Sequence, residues 1–243
     1  MLSLDGCADQ YVMALAPREA VVGLSTRADD ADSNLRHLAR GLPLRRTTLE
    51  ASLAARPQLV VRYWGGDPRL LRGLEARGAR VVTIQDASDF AAVRANIRRV
   101  AKALDRTAAG EAVIADMDAR LARSTGAWGG RSVLYLTPGG FTTGPGTLVH
   151  AVLTTAGLRP VARDPGYQLV SLETLALNPP QAVVLGFFDA FMVGNNYWGP
   201  GRHPVMQRAV KAKAVASLPG AWLGCPDWSA AYAVERLAAS APR

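Results

Sequence analysis

Thr48-Leu-Glu-Ala-Ser-Leu-Ala-Ala-Arg-Pro-Gln-Leu-Val-Val61 and Ser171-Leu-Glu-Thr-Leu-Ala-Leu-Asn-Pro-Pro-Gln-Ala-Val-Val184 repeat one pattern at a constant offset and without a gap. Leu, Glu, Pro, Gln and the Val pair recur in place. Each position has a physical reading. Thr48 and Ser171 are N-cap types, and Glu50 and Glu173 place negative charge in a first helical turn, where the backbone dipole favours it. Pro57 and Pro180 stop the helix, and the valine pair opens a buried strand. Repeats are the first thing to look for, because they set the architecture.

The pattern extends outward from both copies. Upstream of the first, Leu2 to Leu4 reads as a strand, Ala8 to Leu15 as a helix and Val21 to Leu24 as a strand. Upstream of the second, Val133 to Leu136 is a strand, Thr147 to Ala156 a helix and Arg159 to Val161 a short extended piece. Helix Pro68 to Arg77 and strand Val81 to Ile84 complete the first half. Strand and helix in alternation predict a parallel sheet covered on both faces. Val93, Ile97, Val100 and Leu104, then Val113, Met117 and Leu121, follow helical spacing. A helix from about Thr107 to Ser124 would be roughly 27 Å long. The expectation is an α/β fold of two Rossmann-like lobes, each with a mostly parallel sheet, joined by one long helix. The lobes are residues 1–106 and 127–243, with the bridging helix at 107–126, and a cleft lies between them. Ligands of open α/β sheets sit beyond the carboxyl ends of the strands.

The chain has 243 residues, 49% of them apolar, enough for a large core. No run of about 18 apolar residues spans a bilayer. The start lacks the basic segment and apolar core of a signal peptide and reads as a first strand. Of the 28 basic residues behind the +8 net charge, only Lys102, Lys211 and Lys213 are lysines. Arg94, Arg98, Arg99, Lys102 and Arg106 cluster on the polar side of an amphipathic helix, which reads as a solvated face. No nucleic-acid partner is expected. Cys7 and Cys225 lie in predicted carboxyl-end loops, one in each lobe, and form either one disulfide joining the lobes or two isolated thiols; sequence cannot decide their geometry.

Several segments together resemble a known family. Leu-Ser-Leu-Asp-Gly-Cys-Ala-Asp-Gln at 2–10, Val-Val-Gly-Leu-Ser at 21–25 and the segment 49–61 are similar to periplasmic binding proteins for ferric siderophores, heme and cobalamin. Phe-Thr-Thr-Gly-Pro-Gly-Thr at 141–147 and Ser-Leu-Glu-Thr-Leu at 171–175 extend the resemblance to the second half. It implies the substrate-binding component of an ABC importer, a monomer that delivers a metal chelate to a permease in the inner membrane. It also implies a periplasmic location and a ligand that is a metal-organic chelate, with no resident cofactor.

Candidate ligand contacts follow. Tyr63 and Trp64 precede a Gly pair where relatives touch ligand, and aromatic faces suit a flat or hydrophobic chelate. The alternative is that one of them packs beneath its loop. Phe188, Tyr197 and Trp198 occupy the corresponding loop of the second half, where packing among themselves is the alternative. Phe141 and Thr142 stand where the family places a Phe-Thr contact, and Asp227 and Trp228 lie in a further carboxyl-end loop. Arg27 would hold an anionic ferric chelate, or else pair with a surface acid such as Asp29. Asp67 and Asp189 correspond to the family's acidic permease-docking positions, although some relatives carry glutamate there.

No nucleophile elbow, P-loop or dinucleotide fingerprint is present. The three histidines, His37, His150 and His203, lie apart from one another and from carboxylates, so no metal-ion site or catalytic residue is assigned. An enzyme or enzyme subunit with a chelatase-like or nitrogenase-like pair of lobes is the alternative that fold alone leaves open.

Overall fold

The computed structural model describes residues 1–177, 179–189 and 203–242. The chain divides into two compact units. The first holds Met1–Asp86, Ala91–Ala115 and Cys225–Asp227, and the second holds Ala87–Phe90, Asp116–Gly224 and Trp228–Arg243.

The first unit contains strands β1 (Leu2–Ser3), β2 (Leu24–Ser25), β3 (Leu44–Arg45), β4 (Leu59–Arg62) and β5 (Arg80–Thr83). β1 pairs with β4 and β4 with β5, all parallel. A parallel bridge from Leu2 to Gly23 brings in the parallel pair β2 and β3. The order is therefore β5, β4, β1, β2, β3. Helices α1 (Gly6–Leu15), α2 (Arg36–Ala39), α3 (Leu49–Ala54), α4 (Pro68–Glu75) and α5 (Phe90–Ala103) connect or follow these strands. α6 (Thr107–Ser124) starts in the first unit and ends in the second.

The duplicated segment explains the local folding. Thr48 is extended and its side chain accepts from the Ala51 amide, so α3 begins there. Arg56 takes a left-handed φ of 46° and ends the helix one residue before Pro57. β4 then enters the core, with Val60 and Val61 fully buried. Leu2, Leu4, Val60, Leu70 and Leu74 form the apolar centre of this unit.

The second unit contains β6 (Ser132–Leu136), β7 (Phe141–Thr143), β8 (Arg159–Pro160), β9 (Tyr167–Leu169), β10 (Ala182–Gly186) and β11 (Ala214–Leu218). The parallel order β11, β10, β6, β8 repeats the order of the first unit as far as its fourth strand. β7 and β9 pair antiparallel on their own. The helices are α7 (Leu148–Thr155), α8 (Leu172–Leu177), α9 (Pro204–Lys213), α10 (Gly220–Leu223) and α11 (Ala230–Ala239). Leu134, Leu136, Leu175, Val183 and Met206 make its core.

In the basic cluster of α5, Glu111 neutralises Arg98 at 2.7 Å, while Arg99 donates to the uncharged Asn96 at 3.0 Å. Among the described residues, no helix is long and apolar enough to cross a membrane.

Candidate ligand-binding loops

In the first unit, the loops after β1, β2, β4 and β5 are organised by buried or shared carboxylates. Asp5 does two jobs. Its Oδ1 accepts from the Ala8 amide at 2.9 Å and so caps α1, which therefore starts at Gly6. Its Oδ2 accepts from the amides of Tyr63 at 2.7 Å and Gly65 at 2.9 Å. One side chain thus ties the aromatic loop after β4 to the start of α1. The fit demands glycine. A Cβ on Gly65 would lie 2.4 Å from the carbonyl oxygen of Leu4, and Gly66 takes a φ of 81°.

On this support stand Tyr63 and Trp64, stacked at 5.0 Å between ring centroids with 25° between planes. Trp64 is 74% exposed, an unusual state for the largest apolar side chain. Tyr63 is half-buried, and its hydroxyl donates to Asp86 in the loop after β5 at 2.5 Å. Asp67 caps α4 by accepting from Arg69 and Leu70 at 2.8 and 2.9 Å.

Asp9 lies just below these loops at 0% exposure. The amide and hydroxyl of Ser25 donate to its two oxygens at 2.9 and 2.5 Å. Burial pushes its pKa up to about 6, because the hydrogen bonds from Ser25 and Ser3 offset only part of the desolvation and the neighbouring Asp5 adds repulsion. Arg27 follows in the same loop and pairs with Asp30 at 3.1 Å and Asp32 at 3.0 Å, so local acids hold its guanidinium. Asp29 is not its partner.

Cys7, in the first turn of α1, is bonded to Cys225; the disulfide forms, but both residues belong to the first unit, so it closes within that unit and does not join two lobes as expected. Nearby, the Tyr11 hydroxyl donates to the Pro226 carbonyl at 2.6 Å. Asp227 is buried in this unit and Trp228 is buried in the second. Neither offers appreciable surface.

In the second unit, Phe141 is 45% exposed on β7, whereas its neighbour Thr142 is buried. Phe188 is half-buried after β10, next to Phe187, which takes a left-handed φ of 64°. Asp189 is exposed and accepts from the Gly220 amide at 2.9 Å, joining the loops after β10 and β11. Tyr197 and Trp198 lie outside the described residues. His150 sits on α7, and burial lowers its pKa. Among the described residues no group of three or more His, Cys, Asp or Glu side chains could hold a metal ion.

Sequence reasoning missed Asp5, Asp9 and Asp86. Only Asp5 left a local signal, an N-cap residue type directly ahead of a helix. The loops of the first unit thus present a rigid exposed aromatic face with carboxylates beneath and beside it.

The profile of the periplasmic binding protein family matches residues 2–186, most of the chain. The chain belongs to this family. A search of curated proteins finds no match. Solved structures with the same fold include the periplasmic heme-binding protein RhuT from Roseiflexus sp. RS-1, at 23% identity and a TM-score of 0.75, covering 98% of this chain and 96% of that one. The periplasmic heme-binding protein HutB of Vibrio cholerae shows 17% identity and a TM-score of 0.75, with 98% and 96% covered. The periplasmic vitamin B12 binding protein BtuF of the same organism shows 19% identity and a TM-score of 0.66, with 98% and 94% covered. At these identities the likeness is one of fold. The family consists of binding proteins, and the mostly parallel two-unit α/β architecture expected from the repeat is its fold.

Proposed function

We propose that this chain is the substrate-binding component of an ABC importer. In the periplasm it captures a metal chelate with a flat or apolar face, heme foremost, and delivers it to a permease in the inner membrane. The observation that carries the reading is the Tyr63–Trp64 stack, held on the backbone by Asp5 and left open to solvent. An aromatic pair fixed in advance loses little entropy on binding and offers its whole face to a planar ligand. Phe141 supplies a further exposed aromatic surface in the second unit. Two of the compared structures are described as heme-binding and one as binding vitamin B12, which supports the chelate class. Asp67 and Asp189 are both exposed at carboxyl-end loops, as docking residues for a permease must be. Recognition by a preorganised surface needs no chemical step, so the reading is of a carrier without turnover.

The test is titration of the protein with hemin, cyanocobalamin and a ferric hydroxamate, following tryptophan fluorescence and the chelate's own absorption. Saturable quenching by at least one of them is expected, and Trp64→Ala should weaken that binding about tenfold or more, on the order of 1.4 kcal/mol. Absence of binding by all three, or unchanged affinity in the variant, would refute the reading.

A further inference from the structure

In the first unit all the strands run parallel, so their entries lie together at one end of the sheet. The chain returns to that end through the C-termini of its helices. Each of α1 to α5 is followed within three residues by an arginine: Arg18, Arg40, Arg56, Arg77 and Arg106. Arg80, the first residue of β5, joins them. Backbone carbonyls hold two of the six. Arg18 donates to the carbonyls of Leu38, at 2.8 Å, and of Arg40, which ties the turn after α1 to the turn after α2. Arg80 donates to the Ala103 carbonyl at 3.0 Å, which brings the end of α5 to the entry of β5.

The negative end of a helix dipole favours a nearby cation, which accounts for each arginine taken singly. It does not account for their surroundings. All six are exposed, and none is in an ion pair among the described residues. Three acids, Glu19, Glu75 and Asp105, share these turns and pair with none of them. The other end of the sheet carries the opposite charge. The loops that leave the strands hold Asp5, Asp67 and Asp86, and the arginine of the loop after β2, Arg27, is paired with Asp30 and Asp32. The unit is basic where strands enter and acidic where they leave.

We propose that the strand-entry end of the first unit seats on an anionic phospholipid bilayer, its guanidiniums meeting the lipid phosphates. The guanidinium fork matches phosphate oxygens, and the negative surface potential of such a bilayer attracts each unpaired arginine. Neighbouring strands stand about 5 Å apart, so the charges spread over roughly 20 Å of sheet and onto the helix ends beside it. A fluid plane of headgroups can meet such an array at every point. Single-stranded nucleic acid is a poorer occupant, because none of the exposed large apolar side chains that could stack a base lies in these turns. Tyr63 and Trp64 leave β4 at the far end, so a unit seated in this way keeps its aromatic loop in water. The inference does not rest on the chelate-binding reading.

The test is flotation of the full chain with vesicles of phosphatidylcholine and phosphatidylglycerol in equal parts, at low salt where screening is weak. Binding is expected to these vesicles and not to pure phosphatidylcholine, and it should be lost at about 0.5 M sodium chloride. Arg40→Glu, Arg77→Glu and Arg106→Glu combined should weaken it at least tenfold. All three side chains are exposed, so circular dichroism and chelate titration of this variant should match the parent. A control combining Arg69→Glu, Arg163→Glu and Arg208→Glu changes the net charge equally, at exposed positions outside these turns, and should bind like the parent. Equal weakening by both triple variants would overturn the proposal, because net charge alone would then drive adsorption. Indifference to the lipid composition or to the strand-entry variant would overturn it too. So would tighter binding to duplex DNA than to vesicles at equal phosphate, which would mark a nucleic-acid face.

Discussion

Replacing Asp9 by Asn should stabilise the protein at neutral pH and remove a pH dependence that runs against the usual direction for carboxylates. Asp9 has no exposure, and its pKa rises from 3.8 to about 6 on folding. A shift of roughly 2 units corresponds to about 3 kcal/mol at about 1.36 kcal/mol per unit. The sign follows from which state binds the proton more tightly. Here the folded state does, so the charged form penalises folding. That penalty is complete above about pH 6 and is relieved as the pH falls towards 4, the range in which the unfolded chain begins to take up its proton. Asn keeps the shape: its oxygen can accept the Ser25 amide and its nitrogen can donate to the Ser25 hydroxyl. Turning that hydroxyl around costs about 1 kcal/mol, which leaves a net gain of about 2 kcal/mol at pH 7.5. The assay is urea unfolding of both proteins at pH 4, 5, 6 and 7.5, read as the difference at each pH so that all other titrating groups cancel. The difference should shrink steadily below pH 6. A constant difference across this range, or a loss of stability at pH 7.5, would show that Asp9 is not a penalised buried carboxylate.

Replacing Cys7 and Cys225 by Ser removes a link across a sequence separation of 218 residues. Chain entropy sets an upper estimate of about 5 kcal/mol for a loop of that size, and a loss of about 2–5 kcal/mol is expected; thermal unfolding with and without dithiothreitol checks it, because only the parent should respond to the reductant. Asp5→Ala should cost about 2–4 kcal/mol, combining a lost helix cap with two stranded amides. It should also weaken chelate binding, measured by the same fluorescence titration, because Tyr63 and Trp64 lose their anchor. Gly65→Ala should do likewise, since the added methyl meets the Leu4 backbone.

The periodic parts of the fold were legible, and the long-range polar parts were not. The repeat at 48–61 and 171–184 located α3, α8, β4 and β10, because caps, prolines and buried valines act within a few residues of where they stand. β3 left no such trace: Leu44 and Arg45 are two residues without alternation, placed by their partner strand. β9 escaped for the same reason, as α7 and β8 separate it in the chain from its partner β7. In the candidate loops, Tyr63 and Trp64 could be singled out by residue type and position after a strand. Their supports could not. The carboxylate that fixes the loop lies 58 residues upstream of Tyr63, and nothing local announces that Asp5 reaches it. Arg27 shows the converse limit. Its type suggested an anion site, but Asp30 and Asp32 already hold it, and such nearby pairings depend on turn geometry.

The bond from Cys7 to Cys225 makes the polypeptide between them a closed ring. A protease that cuts any surface turn inside the ring therefore opens a circle and releases no fragment. Nicked molecules would run as one species on a denaturing gel until a thiol is added, and would part into two pieces only then. The protein can thus survive a cut as a single covalent object.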